Sequence, residues 1–155
     1  MIVKETLSNG LILITESMPH VRSVATGVWL KRGSRHEPEH LSGISHFIEH
    51  MVFKGTKTRK AAEIAAAVDS MGGHMDAFTA KEYACFHVKV LSECLPKALE
   101  ILADITLNPL FDPVEMSKEK KVIHEEINMV EDTPDDLVVE LYTTALWPDH
   151  PLGRS

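Results

Sequence analysis

Ser42 to Gly55 reads SGISHFIEHMVFKG. At 100° per residue, Ile44, Phe47, Ile48, Met51 and Val52 fall on one side of a helix, with His46, Glu49, His50 and Phe53 opposite. One face therefore packs and the other carries ionisable groups. His46 and His50 are one turn apart on the same stripe, so their imidazoles can grip one cation, and Glu49 lies between them. This is the H-x-x-E-H order, in which two neutral imidazoles hold zinc and the carboxylate handles protons of an activated water. A surface helix with two His and a Glu is an ordinary thing, and nine His raise the chance of coincidence. The apolar stripe on the other side weighs against coincidence, because it would leave three aligned ionisable groups partly desolvated and in want of partners. Ser42 is the expected N-cap, with Lys54 in a cationic last turn and Gly55 as a left-handed stop.

At 155 residues, 44% of them hydrophobic, the chain is one domain's worth of material and can bury a core. A formal charge of -7 and no visible basic patch argue against a nucleic-acid partner. Cys85 and Cys94 are the only cysteines, too few for a disulfide framework and wrongly spaced for a C-x-x-C metal site, so both are expected in or near the core. The N-terminal MIVKETLSNG does not read as a signal peptide, and no apolar run reaches bilayer-spanning length. The expectation is a cytoplasmic protein with no membrane association.

Upstream of the motif, residues 2–7 and 11–16 read as strands joined at Asn9-Gly10, the pair favoured in two-residue hairpin turns. Residues 21–30 read as a third strand, with Gly27 marking a bulge or a close approach, and residues 31–40 as a loop. Downstream, residues 60–71 give an amphipathic helix closed by Gly72-Gly73. Residues 74–79 and 83–90 give strands, the second alternating as one covered face requires, and a third helix over 95–107 stops before Asn108-Pro109. A fourth helix opens at Asp112-Pro113 and continues to about Val130, a fifth runs from Asp135 to about Leu146, and residues 147–155 read as loop.

Zinc in a catalytic site takes three protein ligands, so the His pair needs one more. On the fourth helix Met116, Ile123, Ile127 and Val130 define the expected inward face, with Glu119 and Glu126 on its shoulder. Lys118, Lys121, Glu125 and Asn128 fall on the far side. Carboxylates beside an apolar stripe want a cation, either a metal or a rim Arg or Lys. Two turns put the two acids about 10 Å apart along the axis, so one would bind a metal and the other support it, and spacing alone does not say which. His74 and His124 are rival ligands.

Three blocks in order, HFIEHMVFKGT at 46–56, GGHMDAFTAKEYACF at 72–86 and EKKVIHEEINMVEDTP at 119–134, resemble the pitrilysin/insulinase family of zinc peptidases. The likeness is to bacterial members similar to the mitochondrial processing peptidase β subunit, and it runs over essentially the whole chain. It implies an α+β fold, a mostly antiparallel sheet covered by helices on one face. It also implies that residues 1–155 are one partial N-terminal metallopeptidase domain, truncated before its last strands. By the same resemblance His46, His50 and Glu126 bind Zn2+, Glu49 and Glu119 are the catalytic carboxylates, Glu119 by supporting the site, and Asp76, Ala77, Phe78 and Thr79 bind an extended peptide substrate as an added strand. Without the resemblance, that last segment is a plain hairpin strand. The implied partners are a peptide substrate, the C-terminal half of the same protein, which in relatives helps enclose substrate and adds an Arg/Tyr pair, and a homo- or heterodimer partner. The reading that follows is a zinc endopeptidase. Its competitors are a non-catalytic peptide-binding or assembly subunit of the same fold and a structural zinc module with four closed protein ligands.

Overall fold

The computed structural model describes residues 1–155. Its elements follow in the order β1 (Ile2–Thr6), β2 (Ile12–Glu16), β3 (Ser23–Leu30), α1 (Ile44–Met51), α2 (Ala61–Ser70), β4 (His74–Thr79), β5 (Ala84–Leu91), α3 (Leu95–Leu107), α4 (Pro113–Asp132) and α5 (Pro134–Leu146). The fold is α+β, as expected. β3, β5 and β4 form an antiparallel sheet in that spatial order, and β1 and β2 form a separate antiparallel ribbon.

β5 is the middle strand because its β-branched and aromatic residues recur on one face. Phe86, Val88 and Val90 point inward and are buried, whereas Lys89 faces solvent. Against that face α3 lays Ala98, Ile101, Leu102 and Ile105, and α2 adds Ile64 and Val68. Each fully buried Ile or Leu stabilises the fold by about 1.5–3 kcal/mol relative to exposure, so α3 is the principal anchor of the sheet. Cys85 departs from the alternation: it lies on the outer face yet is buried. It pairs with Trp29 on one side and Phe78 on the other, and these rings, with Tyr83, close over it at centroid separations of 5.7–6.1 Å. Burial pushes its thiol pKa up. Cys94 is half-buried, so both cysteines lie in or near the core.

Several local expectations are corrected. The β1–β2 connection is longer than a two-residue turn: pairing ends at Thr6 and Ile12, Leu7 N–H donates to Leu11 O, and Asn9 Oδ1 accepts from Leu11 N–H. Gly27 marks no bulge, since pairing runs unbroken from Ser23 to Leu30. It is a close approach, because a Cβ there would lie 3.1 Å from His87 Cβ and Phe86 O. The loop before α1 winds into two short 3-10 turns, Ser34–His36 and Glu39–Leu41, and Pro151–Gly153 form another within the expected terminal loop.

The inward stripe of α4 also differs. Glu119 is the buried residue of this helix, flanked by half-buried Met116, Ile123 and Glu126, while Ile127 and Val130 are exposed. The acids thus occupy the middle of the packed face and not its shoulder. Lys118, Lys121, Glu125 and Asn128 are exposed, as their far-side position requires. No helix of the chain is long and apolar enough to cross a membrane.

Candidate metal centre

α1 delivers the His pair. Its C-terminal end is driven into the core by Met51 and Val52, which leaves the opposite stripe turned toward α4. The N-terminus is not capped by Ser42. The N-cap is Gly43 at φ +90°, a conformation that glycine adopts without the Cβ clash of other residues, and it has no side chain to offer. The cap is supplied by Glu37, whose Oε2 accepts from Gly43 N–H at 2.7 Å and whose Oε1 accepts from Ser45 N–H at 2.8 Å. A buried carboxylate is favoured there by two charge-assisted hydrogen bonds and by the positive end of the helix. Arg154 Nη1 in turn donates to the backbone oxygen of Glu37 at 2.9 Å, and Lys81 Nζ donates to Arg154 O.

The two imidazoles meet edge to face, with Nε2 of His46 and Nε2 of His50 3.1 Å apart. Glu126 Oε2 lies 3.6 Å from the first and 3.5 Å from the second. A tetrahedral ion with bonds of about 2.1 Å to nitrogen and oxygen separates its ligands by roughly 3.4 Å, so this triangle fits one zinc-sized ion. His46, His50 and Glu126 form a group able to hold such an ion, and two imidazoles with one carboxylate suit zinc. His46 and Glu126 are each more than two-fifths exposed, so the triangle is open on one side.

Glu119 stands behind it. Its Oε1 lies 3.0 Å from His50 Nδ1 and its Oε2 2.7 Å from Lys54 Nζ. Burial pushes this carboxyl up, but hydrogen bonds from Lys54 and His50 outweigh it and hold the group below the ordinary carboxylate range. An ionised carboxylate only accepts, so His50 donates from Nδ1, and Nε2 is the ring nitrogen that faces His46 and Glu126. Glu49 lies on the same helix face, and its Oε2 is buried with no hydrogen-bond partner. A buried, unpartnered carboxylate oxygen is rare, and here it sits in the turn between the two imidazoles.

The structure therefore brings together His46, Glu49, His50, Glu119 and Glu126 and leaves out the rivals. His74 is exposed on β4, 3.9 Å from Asp76, and His124 is exposed on the far side of α4. Asp76, Ala77, Phe78 and Thr79 lie on β4, an edge strand whose other side is unpaired. Asp76 Oδ1 accepts from Ala77 N–H, Phe78 faces outward beside Trp29, and Thr79 Oγ1 donates to Ser45 O, holding the strand's end beside α1. Two participants escaped the sequence reading. Glu37 is six residues before the group it caps, outside any local capping pattern, and Lys54 lies beyond the end of α1 and not in its last turn.

A family model described as insulinase, peptidase family M16, matches residues 12–155. The uncharacterized zinc protease YmxG of Bacillus subtilis is 51% identical over 153 residues, an alignment covering 99% of this chain and 37% of that protein. An uncharacterized zinc protease of Rickettsia bellii is 49% identical over 148 residues, covering 96% of this chain and 36% of that one. The chain thus spans little more than a third of the length of these curated relatives. Among solved structures, a protease from Helicobacter pylori superposes with a TM-score of 0.93 at 28% identity, over 99% of this chain and 38% of that one. A peptidase M16 inactive domain from Pseudomonas fluorescens superposes at 0.91 over the same shares, and at 15% identity it speaks for the fold alone.

Proposed function

The chain belongs to the insulinase family, peptidase family M16, and from that premise we propose that it carries the zinc-holding centre of an endopeptidase that hydrolyses peptide bonds of extended peptides. The observation that carries this reading is the triangle of His46 Nε2, His50 Nε2 and Glu126 Oε2 with the free Glu49 Oε2 on the same helix face.

In this proposal His46, His50 and Glu126 hold Zn2+, and Glu119 fixes His50 from behind. Zinc, when bound, supplies a positive charge that acidifies water and polarises a carbonyl. Glu49 Oε2 accepts a proton from the water that adds to the scissile carbonyl carbon, then returns it to the amide nitrogen as the C–N bond breaks. Having no other hydrogen bond, that oxygen is free for both transfers. The substrate pairs as a strand with the open edge of β4 at Asp76 to Thr79, where backbone hydrogen bonds give affinity with little demand on side chains. Residues 1–155 are one partial domain in this reading. The remainder of a longer chain, and a homo- or heterodimer partner, enclose the peptide.

The test uses the full-length protein. Glu49→Gln retains zinc, while cleavage of a quenched peptide falls by about 10²–10⁴-fold. Glu126→Gln lowers zinc content more than Glu119→Gln does. Normal cleavage by Glu49→Gln, or equal zinc in wild type and both other variants, would overturn the assignment.

A further inference from the structure

We propose that Lys54 is a positioning residue for this centre, holding Glu119 in the one orientation that aims His50 at the metal position. The inference rests on the zinc reading above and adds a residue to it.

Glu119 has two oxygens and two partners, each at hydrogen-bond distance: His50 Nδ1 on Oε1 and Lys54 Nζ on Oε2. The carboxylate is buried, with a side chain only 6% exposed, so water does not readily replace Lys54 as the partner of its second oxygen. Removing the ammonium leaves Oε2 without its charged partner, and the carboxylate turns to recover solvation. Oε1 then leaves His50 Nδ1, and the imidazole loses the contact that sets its ring plane and keeps its Nδ1 the donor. A lysine held at the surface on both sides would contribute little, but this pair is buried on the acid's side.

The backbone at Lys54 is placed for this task. Its N–H donates to Met51 O, which continues the turn that ends α1, and Gly55 follows at φ +125°. Thr56 is then fixed: buried, its Oγ1 donates to Asp104 Oδ2 at 2.7 Å on α3, where Arg59 Nη1 also donates at 2.6 Å. Lys54 is thus pinned between a core helix end and a polar knot on the helix that anchors the sheet. Its ammonium reaches Glu119 from this base: Asp104 holds Thr56, the backbone leads through Gly55 to Lys54, and the side chains of Lys54, Glu119 and His50 follow in contact.

The experiment compares full-length wild type, Lys54→Met, Lys54→Arg, Glu119→Gln and the double variant Lys54→Met/Glu119→Gln. The readout is the Zn2+ dissociation constant, measured by competition with a chromophoric chelator. Lys54→Met weakens zinc binding by about 10- to 100-fold, as loss of a partner behind a ligand does elsewhere, and Lys54→Arg recovers most of it. The double variant binds no more weakly than Glu119→Gln alone, because Lys54 acts only through that carboxylate. Wild-type affinity in Lys54→Met, or losses that add in the double variant, would overturn the inference and leave the zinc reading standing. Wild type that holds no zinc would overturn the zinc reading and this inference with it. If Lys54→Met does not fold, Lys54→Gln, which keeps polarity without charge, gives the same comparison against Lys54→Arg.

Discussion

α1 and α4 carry the two halves of the candidate centre and are held by opposite means. α1 presses Met51 and Val52, 0% and 2% exposed, into the apolar core and is capped by a carboxylate from outside the helix. α4 is more than twice as long, yet the one side chain it buries is charged, and its apolar residues Val122, Ile127 and Met129 face outward. The helix that carries the His pair is therefore placed by packing, which does not adjust, and Glu119 aims the ring of His50. On α4 the buried contacts with α1 and the segment after it are polar, Glu119 with His50 and Lys54, and Glu126 lies two turns further along the same helix. Polar contacts made through one carboxylate are few and specific, so a single substitution there alters ligand geometry without melting the fold.

That contrast is open to attack from both sides. The largest effect is expected from Met51→Ala, which empties a fully buried site and lowers stability in chemical denaturation by about 2–5 kcal/mol. A loss under about 1 kcal/mol would say that α1 is not locked by packing. Next is acid. Burial pushes the Asp104 carboxyl up, but hydrogen bonds from Thr56, Thr58, Arg59 and Asn108 outweigh it and hold it at about 2, against an ordinary 3.8. A folded-state value below the unfolded one makes a contribution that is complete above pH 4 and is lost as the pH falls toward 2. It amounts to on the order of 2 kcal/mol. Asp104→Asn therefore loses stability near neutrality and flattens the acid limb of a stability-against-pH curve; an unchanged limb would remove the knot from the account.

Glu37→Gln comes third. The amide keeps one acceptor and turns an N–H toward another N–H, so about 1 kcal/mol is expected, with zinc content unchanged. Zinc loss there would mean that the cap, and not packing, places the helix that carries the imidazoles. Smallest is Met129→Ala on the outer face of α4, 68% exposed, expected within about 0.5 kcal/mol in the 155-residue chain. A loss approaching that of Met51→Ala in the full-length protein would show that chain outside these residues covers α4.

What the sequence disclosed follows the same division. The His46/His50 spacing is a property of one helix turn, so it was legible without knowing anything else about the fold, as were the buried stripes of α2 and α3. Glu126 is 80 residues from His46, and only the matching of three blocks to a known family brought it forward; its spacing from Glu119 left the ligand open. The inward face of α4 departs from its apolar pattern at Ile127 and Val130 because the packed side is taken by two carboxylates, which no apolar periodicity reports. Ser42 looked like a cap because it is a serine before a helix, but the chain turns at Gly43 and a distant acid does the work. Cys85 escaped the alternation because aromatic rings on neighbouring strands cover it, which no single-strand pattern reports.

The tie from Arg154 to Glu37 spans 117 positions of sequence. At a synthesis rate of about 5–20 residues per second, the ribosome adds Arg154 roughly 6–23 seconds after Glu37. During that interval the nascent motif helix has its acid cap within reach but lacks the arginine that steadies the cap's backbone. The order of translation thus gives the emerging chain a window in which its two histidines exist before the arginine that steadies the cap of their helix.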